Sequence, residues 1–185
     1  MAHSFEMVAE YECDVEQVHR AFGQEPYWLA WLVNADVDDA SLDSIRVGPD
    51  GAIEVSSTQS VRRDQLPGII AQLHKGQVQI MRQESWAPIT NGEAEGTITG
   101  TVPGAPVTLS GTGRLAPNPD GRGARLKAQV TIEVRIPLVG GKVEKFLSSE
   151  LTEMLSARTD FTNVWISETV DPQVHIEHFS ARERS

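Results

Sequence analysis

Cysteine is nearly absent from this sequence, and long apolar runs are absent altogether. Cys13 stands alone among 185 residues, so no internal disulfide can form, which is typical of proteins from a reducing cytoplasm. No stretch of 18 apolar residues occurs, and Met1–Glu6 lacks the basic and apolar parts of a signal peptide. These absences predict a cytoplasmic globular protein without membrane insertion.

Basic residues are also scarce. The chain holds 16 Lys and Arg against 26 Asp and Glu, which gives a formal net charge of −10. Binding to nucleic acid or to an anionic membrane surface needs clustered basic side chains, and we predict neither kind of partner. Residues 1–50 contain 11 acidic residues and only two Arg, so this acidic region is either a solvated face or a docking site for a basic protein.

The hydrophobic pattern predicts one domain over residues 1–170 and a polar C-terminal tail over 171–185. Ser4–Cys13 alternates apolar and polar residues, as a half-buried strand does, and Asp14 is placed to cap a short helix. Pro26 fits the first turn of a second short helix. Six further strands are predicted at about 40–48, 51–62, 77–87, 93–103, 106–116 and 124–136, with a helical turn at 66–73 and a long helix at 142–168.

Short turns such as Asn91-Gly92 join the predicted strands, and such turns favour antiparallel pairing. A twisted seven-stranded sheet must cover its apolar face, and only the last helix is long enough to do so. We therefore predict an α+β helix-grip fold, in which a curved antiparallel sheet wraps around a long C-terminal helix and two short helices follow the first strand.

Three stretches carry a resemblance to known proteins: Leu66–Gly68, Val102–Pro106 and Ile136–Phe146. With the element order, they resemble the START-like superfamily, also called SRPBCC, which includes the birch-pollen-allergen group. Within it, they are similar to an actinobacterial family of unassigned function. The resemblance implies an internal cavity for an apolar or amphipathic ligand, and it carries over no catalytic residue.

Several polar residues stand where the pattern expects apolar ones. Arg82 and Glu84 share a strand face with Val78 and Ile80, and Arg158 falls within the apolar stripe of the long helix. A charge facing a core is unfavourable unless it is paired or solvated, so these residues are candidates to line a partly wet pocket. The full set of predicted ligand-binding residues is Gln59, Arg82, Glu84, Trp86, Leu151, Met154 and Arg158.

Two alternatives stay open for these residues. A bulge can reverse the phase of the strand that holds Arg82 and Glu84, and Arg158 can extend its head to the rim of the sheet. The four tryptophans are candidates either for the wall of a pocket or for ordinary core packing.

Metal, cofactor and nucleophile chemistry find little support in the sequence. His175 and His178 have ligand-like spacing, but they lie in the polar tail without a cysteine partner. Cys13 lies between Glu12 and Asp14, which oppose thiolate formation. No phosphate-binding or dinucleotide motif occurs, so we predict no metal site, no cofactor and no catalytic residue.

Three functions remain as hypotheses. The first is binding of a hydrophobic or amphipathic, lipid-like small molecule in a cavity between the sheet and the C-terminal helix. The second is a cyclase or aromatase-type enzyme in the same cavity, with Glu84 as general acid or base. The third is a co-chaperone-like interaction protein that uses the acidic N-terminal region.

Overall fold

Ten elements of secondary structure follow one another in the computed structural model, which describes residues 2–34, 39–61, 68 and 77–170. Their order is the predicted order. The elements are β1 (Ala2–Tyr11), α1 (Val15–Phe22), α2 (Glu25–Asn34), β2 (Asp39–Val47), β3 (Ile53–Val61), β4 (Val78–Trp86), β5 (Ala94–Thr101), β6 (Val107–Pro117), β7 (Ala124–Val134) and α3 (Gly140–Val170). The helical turn predicted at 66–73 and the tail at 171–185 lie outside the described residues, except for Gly68.

The seven described strands form one antiparallel sheet in the order β1-β7-β6-β5-β4-β3-β2. Neighbours along the chain pair with one another from β2 to β7. β1 pairs with β7 at one edge of the sheet, and α1 and α2 connect β1 to β2 at the opposite edge. The prediction of an α+β helix-grip fold with a seven-stranded antiparallel sheet is confirmed.

The register of β4 decides which side chains face inward. β4 pairs with both β3 and β5 without a register shift, whereas β2 is irregular between Leu42 and Ser44. Because alternation along β4 is unbroken, Arg82 and Glu84 share the inner face with the buried Val78. The alternative in which a bulge reverses the phase of β4 is therefore wrong.

Local sequence signals explain where the short helices begin. Asp14 accepts a hydrogen bond from the backbone N–H of Gln17 at 2.8 Å, and the Gln17 side chain accepts one from the Asp14 N–H at 3.1 Å. This reciprocal capping box satisfies two backbone donors at the start of α1. On α2, Tyr27, Trp28 and Trp31 are buried and pack the two short helices into the core.

The start of α3 depends on a close backbone approach. A Cβ atom on Gly140 would lie 2.6 Å from the carbonyl oxygen of Val134, so only glycine fits there without a shift. Helical periodicity predicts that Glu144 lies opposite the apolar stripe of this helix, on its solvent face, and this prediction is wrong. Glu144 is buried, and its carboxylate accepts a hydrogen bond from the Val134 N–H at 3.0 Å at the end of β7.

Two apolar clusters hold the helix on the sheet. One joins β7 to the first half of α3 through Val130, Ile132, Val134 and Val143. The other unites α1, α2, the second half of α3 and the inner faces of the strands, including the start of β7. None of the helices in the part of the chain that the structure describes has the length and apolar character needed to cross a membrane.

Candidate functional site

A cavity of about 80 Å³ lies between the inner face of the sheet and α3. Most of its wall is apolar and comes from β1, β5, β6, β7 and the middle of α3. Representative lining side chains are Met7, Ile98, Leu109, Val130 and Leu151. The alternation that buries each strand's apolar face therefore also builds the wall of the cavity.

Glycines in the middle strands make room for the cavity and for one large ring beside it. Gly96 and Gly113 form a cross-strand pair and both line the cavity. A Cβ atom on Gly96 would lie 2.8 Å from Cε3 of Trp86, so the indole occupies the space that a side chain would need. Trp86 lines the cavity at this point.

One side of the cavity carries a buried ion pair between the sheet and the helix. The Nη1 and Nη2 atoms of Arg158 donate to the two carboxylate oxygens of Glu84 at 2.8 and 2.9 Å. The side chains are only 10% and 6% exposed, so water screens this pair weakly. Arg158 therefore reaches into the interior, and the alternative that it extends to the rim of the sheet is wrong.

Further contacts fix both partners of this pair. The Trp86 indole N–H donates to Glu84 at 2.8 Å, and Arg158 Nε donates to the Tyr27 hydroxyl at 3.2 Å. The guanidinium carbon of Arg158 lies 4.7 Å from the ring centre of Phe22 and 4.5 Å from that of Trp28. Ring faces at these distances attract a cation, so the guanidinium is held by aromatic rings as well as by the carboxylate.

Electrostatics keep the ion pair charged. Burial disfavours the carboxylate of Glu84, but the charge and hydrogen bonds of Arg158 and the hydrogen bond from Trp86 outweigh it, so the pKa of Glu84 is lowered. Burial likewise disfavours the cation of Arg158, but Glu84 outweighs it and holds the pKa of Arg158 well above its ordinary value. Both groups are therefore ionised at neutral pH.

Arg82 lies on the same wall, two residues before Glu84, and has a different environment. It is half-buried, and its Nη2 donates to Sδ of Met154 at 3.1 Å. Burial is the largest influence on it and, with repulsion from Arg158, outweighs the attraction of Glu84, so the pKa of Arg82 is lowered to about 10. Arg82 is therefore still a cation at neutral pH.

The structure brings six of the seven predicted ligand-binding residues to this cavity. They are Arg82, Glu84, Trp86, Leu151, Met154 and Arg158. Gln59 is buried on β3 beside Ile80 but is not part of the lining. Its inward direction was predictable from alternation, but β3 lies one strand further from the cavity than β4, and alternation contains no information about that lateral position.

Sequence reasoning missed the polar role of Tyr27. Its hydroxyl accepts from Arg158 and lies 2.9 Å from Oγ1 of Thr162, which in turn donates to the Arg158 carbonyl at 2.6 Å. The four-residue spacing of Arg158 and Thr162 on α3 was a visible signal of a shared face. Tyr27 follows Pro26 in the second predicted helix, and nothing in the local sequence indicates a polar partner for its hydroxyl.

The geometry of the described residues supports neither metal binding nor a reactive thiol at Cys13. Within residues 2–34, 39–61, 68 and 77–170, no group of three His, Cys, Asp or Glu side chains is arranged to hold a metal ion. His175 and His178 lie outside the described residues. Burial, followed by the charges of Glu12 and Asp14, raises the pKa of the half-buried Cys13 thiol.

Solved structures with little sequence similarity share this fold. The structure of SA2116 from Staphylococcus aureus aligns with a TM-score of 0.56 at 11% identity, covering 92% of this chain and 97% of that one. TTHA0849 from Thermus thermophilus aligns at 0.54 and 16% identity, covering 91% and 99%. Ara h 8.0201 aligns at 0.51 and 14%, covering 88% and 98%. At these identities the likeness establishes the fold alone, which is the START-like, birch-pollen-allergen-like fold.

Sequence relatives are much closer. Uncharacterized protein Rv0481c of Mycobacterium tuberculosis (strain ATCC 25618 / H37Rv) is 45% identical over 174 residues, which cover 92% of this chain and all of that protein. Uncharacterized protein Mb0491c of Mycobacterium bovis gives the same values. Residues 6–166 match the family described as "Protein of unknown function (DUF2505)". The chain therefore belongs to the DUF2505 family, and it has the START-like fold.

Proposed function

We propose that this protein binds a hydrophobic or amphipathic small molecule in the cavity between the sheet and α3. The observation that carries the proposal is the composition of the wall, which is apolar over most of its area and has three charged side chains on one side. Ligand sites in proteins commonly combine an apolar cleft with a few convergent polar groups. A cavity in this place is also what the resemblance to the START-like superfamily implies.

The geometry favours binding over catalysis by Glu84. Both carboxylate oxygens of Glu84 accept hydrogen bonds from Arg158, and one accepts a third from Trp86. A general acid or base works best with a pKa near the working pH, which for a glutamate means a raised value. The pKa of Glu84 is lowered instead. The carboxylate is therefore better suited to holding Arg158 than to transferring protons.

The direct test is native mass spectrometry of freshly purified protein, followed by solvent extraction under denaturing conditions. We expect a discrete adduct on the native protein and a compound of matching mass in the organic phase. Purification from the cytoplasmic fraction also tests the expected location. A protein without an adduct that also binds no neutral apolar dye would contradict the proposal.

A substitution that fills the cavity provides the second test. Ala128 lines the cavity, so Ala128→Leu adds three carbon atoms inside it, whereas Ala157→Leu adds the same atoms on the exposed face of α3. We expect Ala128→Leu to reduce dye binding at least tenfold and Ala157→Leu to leave it unchanged. Circular dichroism checks that both variants fold. Equal binding by a folded Ala128→Leu variant would show that the dye binds elsewhere.

A further inference from the structure

The two arginines of the cavity differ in how their donors are satisfied. All three nitrogen atoms of the Arg158 guanidinium group donate to oxygen, two to Glu84 and one to Tyr27. Among the described residues, the hydrogen-bond acceptor for Arg82 is Sδ of Met154, and no carboxylate lies within ion-pair distance of it. Arg158 is therefore a partner in the framework, whereas Arg82 is a cation that the described framework leaves unpaired.

An unpaired guanidinium against an apolar wall favours an anion beside it. Arginine has five N–H donors, and a thioether sulfur is a weak acceptor that engages only one of the Arg82 nitrogen atoms. The charges on this wall are two arginines and one glutamate, so one positive charge is left over. A cation that is partly removed from water is stabilised by a charge-assisted hydrogen bond to an anion.

We infer that Arg82 anchors the carboxylate of a short-chain monocarboxylate whose apolar part lies against the cavity wall. This inference rests on the proposed function, since it names the class of ligand and the residue that selects it. The apolar part would contact side chains such as Leu109, Val130 and Leu151, which line the cavity together with Arg82.

A carboxylate fits this wall better than a phosphate. A guanidinium group offers two parallel N–H donors that match the two oxygens of a carboxylate. A carboxylate also brings one negative charge, which balances the single excess positive charge. A phosphate monoester brings roughly 1.5 to 2 negative charges at neutral pH, and the excess would repel the nearby Glu84.

The volume of the cavity limits the apolar part of the ligand. About 80 Å³ is well below the roughly 300–1,000 Å³ that is typical of pockets for drug-sized molecules. Each methylene group that leaves water for the cavity should raise affinity about fourfold, and this gain should stop when the cavity is full. A short chain is therefore expected to use the cavity completely.

The experiment compares hexanoate with hexan-1-ol, which have the same number of carbons and differ in charge. Calorimetric titration of the intact protein should give at least tenfold tighter binding for hexanoate. In Arg82→Met, we expect the ratio of the hexanoate affinity to the hexan-1-ol affinity to fall to about one. The affinity for hexan-1-ol itself should not change. Arg82→Gln serves as a second neutral variant in case Arg82→Met does not fold. Arg46→Met, at a side chain that is 79% exposed, is the matched control and should keep the preference.

The outcomes separate this inference from the function that it rests on. Binding of neither compound by a protein that also carries no adduct and binds no neutral apolar dye would overturn the proposed function and the inference together, whereas binding of neither compound by a protein that does bind the dye would overturn the inference alone. Equal binding of both compounds, or a preference for hexanoate that survives in a folded Arg82 variant, would overturn the inference alone. Titration with dodecanoate tests the size limit, because a further fourfold gain for every added methylene would show that short chains are not selected.

Discussion

Removing either member of the Glu84–Arg158 pair should destabilise the protein far more than removing both. Glu84 is 7% exposed and Arg158 is 8% exposed, so each single substitution leaves the other charge buried without its partner. The usual loss for such a change is about 3–5 kcal/mol. We expect Glu84→Leu and Arg158→Met each to lose stability in this range, with a lower thermal midpoint by about 6–20 °C for a chain of this size.

The double variant removes both charges and should behave differently. Buried ion pairs replaced by apolar side chains of similar volume are often neutral in stability or better. Here the indole N–H of Trp86 also loses its acceptor, since it donates to Glu84. An unsatisfied buried donor costs about 1–3 kcal/mol. The double variant Glu84→Leu with Arg158→Met should therefore be more stable than either single variant.

Urea denaturation followed by circular dichroism measures the free energy of unfolding of the parent protein, the two single variants and the double variant. Arg125→Met is the control, because the Arg125–Glu10 pair has an N–O distance of 2.6 Å but side chains that are 29% and 56% exposed. That variant should lose less than about 1 kcal/mol. A loss for Arg158→Met no larger than that of the control, or a double variant less stable than both single variants, would refute the reasoning.

The Glu84–Arg158 pair should make stability depend on pH, and the start of α3 should tolerate a Cβ atom at Gly141 but not at Gly140. Because the pKa of Glu84 is lowered in the folded protein, its contribution is complete above its unfolded pKa of about 4.3 and is lost as the pH falls through the folded value. Urea midpoints between pH 3 and 7 should therefore fall less steeply for the Glu84→Leu, Arg158→Met double variant than for the parent. Gly140→Ala places a Cβ atom 2.6 Å from the Val134 oxygen and should lower the thermal midpoint. Gly141→Ala meets nothing within 4 Å and should be stabilising by about 0.5–1 kcal/mol. Equal midpoints for the two alanine variants would contradict this difference.

Most of the fold could be predicted because its signals are local. Alternation fixes each strand and its inner face, and the Asp14 cap fixes the start of α1. The same alternation placed Arg82 and Glu84 on the inner face correctly, since β4 has no bulge. The burial of Glu144 was not predictable in this way, because its partner is a backbone N–H at the end of β7.

The contacts of the site depend on the path of the sheet, which sequence patterns do not describe. Arg158 and Glu84 are 74 residues apart, and α3 packs on β1 and β7 while Glu84 lies on β4, three strands away from β7. Only the curvature of the sheet brings that strand within reach of a long side chain on the helix. Gln59 was included among the predicted ligand-binding residues for the same reason. It faces inward as alternation predicts, but it lies on β3, one strand beyond the cavity.

The partners of a guanidinium group determine whether an arginine in such a cavity is available to a ligand or serves the structure. In the sequence, Arg82 and Arg158 are equivalent, since each is a cation at an apolar position. In the structure, Arg158 directs one donor of each guanidinium nitrogen to Glu84 or Tyr27, and its charge is already balanced by the Glu84 carboxylate. By contrast, the described partner of Arg82 is a weak acceptor. The residue that the framework leaves unsatisfied is therefore the one that is available to select a ligand.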